Sequence, residues 1–127
     1  MNANELGSLN ELTRKIIGAA HTVSNSLGCG FLEKVYENAL AFELRAQGLL
    51  VTQQQGRMVR YRGEVVGEYF ADLVVEDRVI VELKTVQALH DVHQAQCLNY
   101  LRATGFPLCL LINFARPRLS VRRVVNG

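Results

Sequence analysis

The chain has 127 residues, of which 49% are hydrophobic and 20% are charged, and its formal net charge is +2. This length suits one domain with a real core, and the composition is typical of a soluble globular protein. The charge is too small to indicate nucleic-acid binding by itself. No secretory signal is visible, and the longest apolar run is far too short to cross a bilayer.

Two local features of the composition are informative. The cysteines show no metal-binding spacing, so we expect reduced thiols, a cytoplasmic location and no structural zinc: Cys29, Cys97 and Cys109. Arginines concentrate near the C-terminus, where they could bind an anionic partner or protect an edge strand: Arg116, Arg118, Arg122 and Arg123.

Apolar periodicity predicts three helices. Residues 1–9 are expected to be frayed, and the first helix is predicted from about Asn10 to the glycine at position 28. The second helix is predicted from about Leu32 to Gln47, and the third from about Leu89 to Ala103. Residues 1–127 are therefore expected to form a single domain that contains strands between and after these helices.

Shorter apolar runs predict the strands. Arg62-Gly63 indicates a tight turn, and Gly67 indicates a bulge. A strand, a helix and a second apolar strand in succession predict a parallel pair joined by a crossover. The predicted strand segments are 49–55, 58–61, 64–75, 79–85 and 106–114, with a possible edge strand at 119–125.

Charged residues interrupt the two apolar runs between Phe70 and Lys84: Asp72, Glu82 and Lys84. Isolated charges are expensive to bury, so they are normally paired or bound to a metal. Alternation along a strand places Asp72 on the face of Phe70 and Val74. The simplest arrangement brings the three charges together around a divalent cation.

The connection between these two strands tests that hypothesis. If Glu76, Asp77 and Arg78 form a three-residue loop, Asp72 lies opposite Glu82. A two-residue turn would instead put Glu82 on the far face of the sheet. The metal-site hypothesis therefore predicts the three-residue loop or a bulge that restores its register.

Polar residues on the second helix are candidates for the same site. Glu33 and Tyr36 lie one turn apart, so Glu33 could point toward the sheet with Tyr36 orienting it. Alternatively, Glu33 only interacts favourably with the helix dipole. Glu37 is expected to face solvent.

Polar residues also follow one side of the third helix. Gln96 and Tyr100 are four residues apart and could hydrogen-bond a phosphate or orient a catalytic group, although a partly exposed helix would explain them equally well. His90 and His93 could in principle hold a metal, but further ligands at recognisable spacing are lacking.

Together these motifs resemble the PD-(D/E)xK nuclease-like superfamily. Asp72 followed by Glu82-Leu83-Lys84 is similar to its signature, with Ala71 in place of the usual proline. Gln96 to Tyr100 resembles the QxxxY element of RecB-like members. Gly30, Glu33 and Tyr36 match the signature of the GxxExxY family of small bacterial proteins. The resemblance covers nearly the whole chain.

The resemblance implies an α/β (α+β) fold with a restriction-endonuclease-like core: a mixed β-sheet flanked by helices, in the order α-α-β-β-β-α-β. It implies a Mg²⁺ or Mn²⁺ site with Asp72 and Glu82 as ligands. The Leu83 carbonyl would be a backbone ligand, and Glu33 would contact the metal directly or through water.

It also implies roles for the remaining residues. Lys84 would position the attacking water and offset charge in the transition state, while Gln96 and Tyr100 would orient the substrate or support Lys84. This division agrees with the chemistry of phosphodiester hydrolysis, which needs an activated water and compensation of negative charge. Without metal, the charged residues could remain as a salt-bridge cluster.

The leading interpretation is a metal-dependent nuclease that acts on nucleic acid, most simply DNA, and has no membrane segment. One alternative is a non-catalytic nucleic-acid-binding module, which in so short a chain would need a homodimer or a larger protein partner. Another is a protein-interaction module whose charged cluster is purely structural.

Overall fold

The computed structural model describes all 127 residues and contains three helices and five strands. The order is α-α-β-β-β-α-β-β, so the predicted order is confirmed and the edge strand forms the eighth element. The elements are α1 Ala3–Leu27, α2 Glu33–Ala46, β1 Val51–Tyr61, β2 Glu64–Val75, β3 Val79–Lys84, α3 Asp91–Thr104, β4 Leu108–Asn113 and β5 Ser120–Val125.

The strands form one mixed sheet in the order β1-β2-β3-β4-β5. β3 and β4 are parallel and are connected through α3, whereas the other neighbouring strands are antiparallel. The predicted parallel pair is therefore confirmed. None of the three helices is long and apolar enough to cross a membrane.

The sheet buries a core on each face. The larger core contains 20 buried residues and lies between the sheet and the helices α1 and α2. The smaller core contains 10 buried residues and lies under α3. Residues of β3 alternate between the two, with Val81 and Leu83 in the larger core and Ile80 in the smaller. Glu82 therefore faces the α3 side.

Helix α1 begins at Ala3, so the prediction that residues 1–9 are frayed is wrong. Asn2 caps the helix: its side chain accepts a hydrogen bond from the Glu5 N–H at 2.8 Å, and the Glu5 carboxylate accepts one from the Asn2 N–H. This reciprocal pair satisfies two of the donors that a helix N-terminus leaves free.

The β1–β2 hairpin extends well beyond the rest of the sheet. β1 is one continuous strand where two segments were predicted, and β2 pairs with β3 only from Leu73 to Val75. The outer part, residues 56–71, is therefore a two-stranded ribbon that we call the arm. Its register shifts where Val59 opposes Gly67 and Arg60 opposes Val65, which confirms the predicted bulge.

The loop between β2 and β3 has three residues, as predicted. Val75 pairs with Val79, and the register continues to Leu73 opposite Val81. Glu76 and Asp77 adopt positive φ angles of 54° and 52° to close the turn. The same register places Asp72 opposite Glu82, one residue beyond the last pair between the two strands.

Candidate active site

The ladder between β2 and β3 stops where the candidate site begins. Beyond the pair of Leu73 and Val81 there is no further strand pairing. Instead, the Asp72 carboxylate accepts a hydrogen bond from the Leu83 N–H, with 2.9 Å between Oδ2 and N. A side chain thus replaces a backbone acceptor, and the Asp72 carboxylate is held in the gap between the strands.

Strand alternation is broken around Asp72, so the prediction that Asp72, Phe70 and Val74 share one face of the sheet is wrong. Ala71 and Val74 both pack into the α3-side core, whereas Leu73 packs into the other. Phe70 is half exposed and does not share the face of Val74. The irregularity directs Asp72 toward the edge of β3.

Glu82 is a buried carboxyl group, with 7% of the residue exposed. Tyr69 donates its hydroxyl proton to Glu82 Oε1 at 2.5 Å. Burial, and then the charge of Asp72, raises the pKa of Glu82 to about 8. The structure therefore brings the two carboxyl groups close enough for the charge of Asp72 to disfavour ionisation of Glu82.

Tyr69 links Glu82 to helix α3. Its ring stacks on that of Tyr100, with 3.4 Å between centroids and 14° between planes. Burial raises the pKa of Tyr69 well above its ordinary value, and Glu82 raises it further, so the phenol remains a neutral donor. Tyr100 therefore supports Glu82 indirectly, because it packs on the tyrosine that donates to Glu82. Sequence reasoning missed Tyr69 because a tyrosine in a strand normally indicates only packing.

Lys84 is half-buried and forms no ion pair with Asp72 or Glu82. Its carbonyl accepts a hydrogen bond from the Phe114 N–H at 2.8 Å. By strand alternation Lys84 shares the α3 side of the sheet with Glu82. Burial, and then the charge of Lys84, lowers the pKa of His93 on α3. The alternative in which the three charged residues form a salt-bridge cluster is therefore not observed.

Helix α2 contributes Glu37, which was wrongly expected to face solvent. Glu37 is only 3% exposed. Its Oε1 accepts from Gln54 Nε2 at 2.7 Å, and its Oε2 accepts from Gln53 Nε2 at 2.7 Å and Lys34 Nζ at 2.9 Å. Glu33, one turn earlier, is exposed and forms no hydrogen bond or ion pair.

Gln54 connects Glu37 to Asp72. The same Nε2 that binds Glu37 also lies 3.3 Å from Asp72 Oδ1. Gln54 has a φ of 52° in the middle of β1, while the flanking Gln53 and Gln55 pair regularly with β2. A non-glycine residue in this region is strained, and such residues concentrate at functional sites. The signal in the sequence is three successive glutamines in an otherwise mixed strand.

Tyr36 has a different role from the one predicted. Its hydroxyl donates to the Gly28 carbonyl at 2.7 Å and accepts from the Phe31 N–H at 3.3 Å. Its ring stacks on Phe114 at 4.7 Å. Tyr36 therefore fixes the connection between α1 and α2 and does not orient Glu33.

The remaining candidates lie on α3. Gln96 is exposed and forms no hydrogen bond with the carboxylates. His93 Nδ1 accepts from the His90 N–H at 3.1 Å, so this pair caps the helix. The thiols of Cys97 and Cys109 are buried and hydrogen-bonded, which lowers the pKa of Cys97 and raises that of Cys109.

The donor set at the gap fits a hard divalent cation. The N–H and C=O of a strand residue point to the same side, so the Leu83 carbonyl faces the gap with Asp72. Two carboxylates and a carbonyl suit Mg²⁺ or Mn²⁺, which commonly take one or two carboxylates with water and substrate phosphates. No three His, Cys, Asp or Glu side chains form a metal-binding group.

Comparisons with known proteins agree with this geometry. The family model of the PD-(D/E)XK nuclease superfamily matches residues 10–124, and the chain therefore belongs to this superfamily. The narrower resemblance to the GxxExxY family stays a prediction.

A solved structure shows the same fold. The crystal structure of SSO0001 is similar, with a TM-score of 0.60, 15% identity and coverage of 75% of this chain. The match spans only 50% of that chain. Comparison with curated proteins gives no match.

Proposed function

We propose that this protein is a metal-dependent nuclease that hydrolyses phosphodiester bonds of nucleic acid, with DNA as the expected substrate. The observation that carries the proposal is the placement of Asp72 and Glu82 at one gap, although their charges repel and the pKa of Glu82 rises to about 8. Such a pair is unfavourable in the free protein and becomes favourable when a cation binds between the carboxylates.

Asp72, Glu82 and the Leu83 carbonyl would hold the cation, and Glu33 would contribute through water. A bound Mg²⁺ or Mn²⁺ supplies polarisation of the phosphate and a more acidic water. Tyr69 fixes the rotamer of Glu82, and Gln54 fixes Asp72.

The cationic residue in this proposal is Lys84, which lies two residues after Glu82 on the same face of β3. Its amine is not neutralised by a neighbouring acid, so it can compensate charge on the phosphate and position the attacking water. Gln96, exposed one turn before Tyr100, would contact the substrate.

Calorimetric titration with Mn²⁺ and Mg²⁺ tests the metal site without a substrate. We expect binding by the wild type, none by Asp72→Asn, and normal binding by Asp91→Asn, since Asp91 is a fully exposed acid on α3. Equal binding by the wild type and Asp72→Asn would contradict the site.

Cleavage of single-stranded and duplex DNA in Mn²⁺ tests the chemistry. We expect Lys84→Ala to lose activity by about a hundredfold or more, as for other electrostatic stabilisers of a transition state. Lys15→Ala removes an equivalent charge from an exposed position on α1 and should retain activity. Retained cleavage in Lys84→Ala would refute the role of this lysine.

A second candidate is a nucleic-acid-binding module without turnover. It is favoured by the convergence of only two acidic side chains at the gap. This module would bind in a salt-sensitive manner and show no cleavage with any divalent metal.

A further inference from the structure

The exposed part of Glu82 opens into the largest cavity of the molecule, a groove of about 550 Å³. Glu82 lines it from β3, Tyr69 lines it from the base of the arm, and Tyr100 lines it from α3. The arm supplies the remaining wall, with Val59, Val66, Gly67, Glu68 and Phe70. The groove therefore begins at the candidate active site and continues along the arm.

The groove offers apolar surface to solvent next to the stacked rings of Tyr69 and Tyr100. Val66 is 62% exposed and Val59 is 37% exposed, although both lie in a strand. The bulge places Val66 beside Gly67 on the groove side, while Val65 pairs with Arg60 and is not part of the groove lining. The groove thus has the chemistry of a pocket for a flat, largely apolar group.

Positive charge lies along the same arm. Arg57 pairs across the strands with Tyr69, and its guanidinium carbon lies 5.6 Å from the centroid of the Phe106 ring. Arg60 and Arg62 are exposed near the tip of the arm. A ligand that is complementary to both the apolar groove and the arginines would carry flat apolar groups on an anionic backbone.

We infer that the groove holds an unpaired nucleobase beside the phosphate at Asp72 and Glu82, so that the substrate is single-stranded or locally unpaired nucleic acid. The inference rests on the proposed function. Bases of a duplex are stacked and paired, and they reach such a groove only after unstacking. A single strand exposes its bases, and stacking on aromatic side chains contributes to binding without sequence specificity.

Binding, measured apart from cleavage, tests this assignment. A single-stranded oligonucleotide containing 2-aminopurine is titrated with the protein in Ca²⁺, and competition is measured with an abasic strand and with a duplex of equal length. We expect the single strand to bind about tenfold more tightly than either competitor, in line with the loss of one stacked base. Equal affinity for the duplex or the abasic strand would overturn the inference.

Two adjacent valines provide matched variants. Val66→Asp places a charge in the groove, whereas Val65→Asp places the same charge on the other face of the arm. We expect about tenfold weaker binding of the single strand for Val66→Asp and a change below about threefold for Val65→Asp. Equal losses of affinity in the two variants would show only an electrostatic effect of the added charge and would overturn the assignment of the groove to a nucleobase.

The outcomes separate this inference from the nuclease proposal. Binding that depends on Val66 with no cleavage in Mn²⁺ would support the groove and refute the nuclease. Cleavage restricted to duplex DNA would support the nuclease and refute the groove. Dissociation of a dimer by Val66→Asp, seen by sedimentation without a change in base binding, would assign the groove to a second copy of the chain and overturn the inference.

Discussion

At the scale of single residues, Gln54 shows how one strained position connects two elements. Its φ of 52° directs one amide toward Glu37 on α2 and Asp72 on β2. A regular strand residue could not aim its side chain at both. We infer that the strain is maintained because it positions Asp72.

Replacement of Gln54 tests this role. Gln54→Gly accepts the positive φ without strain but removes the amide. Loss of such a supporting contact typically lowers metal affinity by about ten- to a hundredfold, and we expect that range for Mn²⁺ by calorimetry. Gln53→Gly is the matched control, because Gln53 binds Glu37 but not Asp72. Similar affinities for the two variants would contradict a positioning role.

Glu82 predicts a pH dependence of stability in the metal-free protein. Its pKa is about 8 in the folded protein and is near its ordinary value of 4.5 in the unfolded chain. Between these values the folded protein retains a proton that the unfolded chain releases. Stability is therefore greatest below the lower value and falls as the pH rises toward 8.

Urea denaturation at pH 5 and pH 8, without metal, measures this effect. Each unit of pKa difference corresponds to about 1.4 kcal/mol, so the free energy of unfolding should fall by roughly that amount or more between the two conditions. Glu82→Gln keeps the acceptor for Tyr69 and should remove most of the decrease. The exposed Glu64→Gln should leave it unchanged. A decrease that persists in Glu82→Gln would assign it to other groups.

At the scale of elements, the loop between β2 and β3 determines whether the site exists. Its three residues keep Val81 and Leu83 in the larger core and leave Asp72 beside Glu82. A shift of one residue would exchange the faces of β3 and place apolar side chains where the carboxyl group belongs. The geometry of the turn and the chemistry of the site are therefore coupled.

Asp77 provides a test of the loop. Asp77→Gly retains the length and adopts the φ of 52° without strain, so we expect the free energy of unfolding to rise by up to about 1 kcal/mol in urea denaturation. Deletion of Asp77 should abolish cooperative unfolding, because a one-residue shift would turn the side chains of β3 away from the cores in which they pack. A deletion variant that remains cooperative and binds Mn²⁺ would show that the loop length does not set the register.

Local sequence patterns predicted most of the elements and the central pair of carboxyl groups. Asp72 and Glu82 could be identified because isolated charges are expensive to bury in apolar strands, and this cost indicates that the two residues belong to one site. Tyr69 and Glu37 were not, since a strand tyrosine and a helical glutamate are ordinary residues until the packing of α3 and α2 is known. The frayed N-terminus was predicted wrongly because the capping pair before α1 was overlooked.

At the scale of the whole molecule, the site is placed where both layers of the fold meet the sheet. Helix α3 reaches Glu82 through the stacked Tyr100 and Tyr69, and helix α2 reaches Asp72 through Glu37 and Gln54. The gap between β2 and β3 is thus supported from both faces. Repulsion between the two carboxylates disfavours ionisation of Glu82 in the free protein, and in the proposed function binding of a cation would relieve this repulsion.

Metal binding should therefore stabilise the whole fold, and more strongly at pH 8 than at pH 6. At a Mn²⁺ concentration of a hundred times Kd, linkage contributes about 2.7 kcal/mol, which for a domain of this size raises Tm by roughly 10 °C. The increase should be smaller at pH 6, because Glu82, with a pKa of about 8, must first lose its proton. Thermal denaturation followed by circular dichroism measures both values.

Two variants complete this last prediction. Asp72→Asn should show little increase in Tm with Mn²⁺ at either pH, whereas Asp91→Asn, altered on the exposed start of α3, should respond like the wild type. An equal increase in Asp72→Asn would place the stabilising metal elsewhere in the molecule. An increase that is independent of pH would show that Glu82 does not have to ionise for the metal to bind, and it would remove Glu82 from the ligand set.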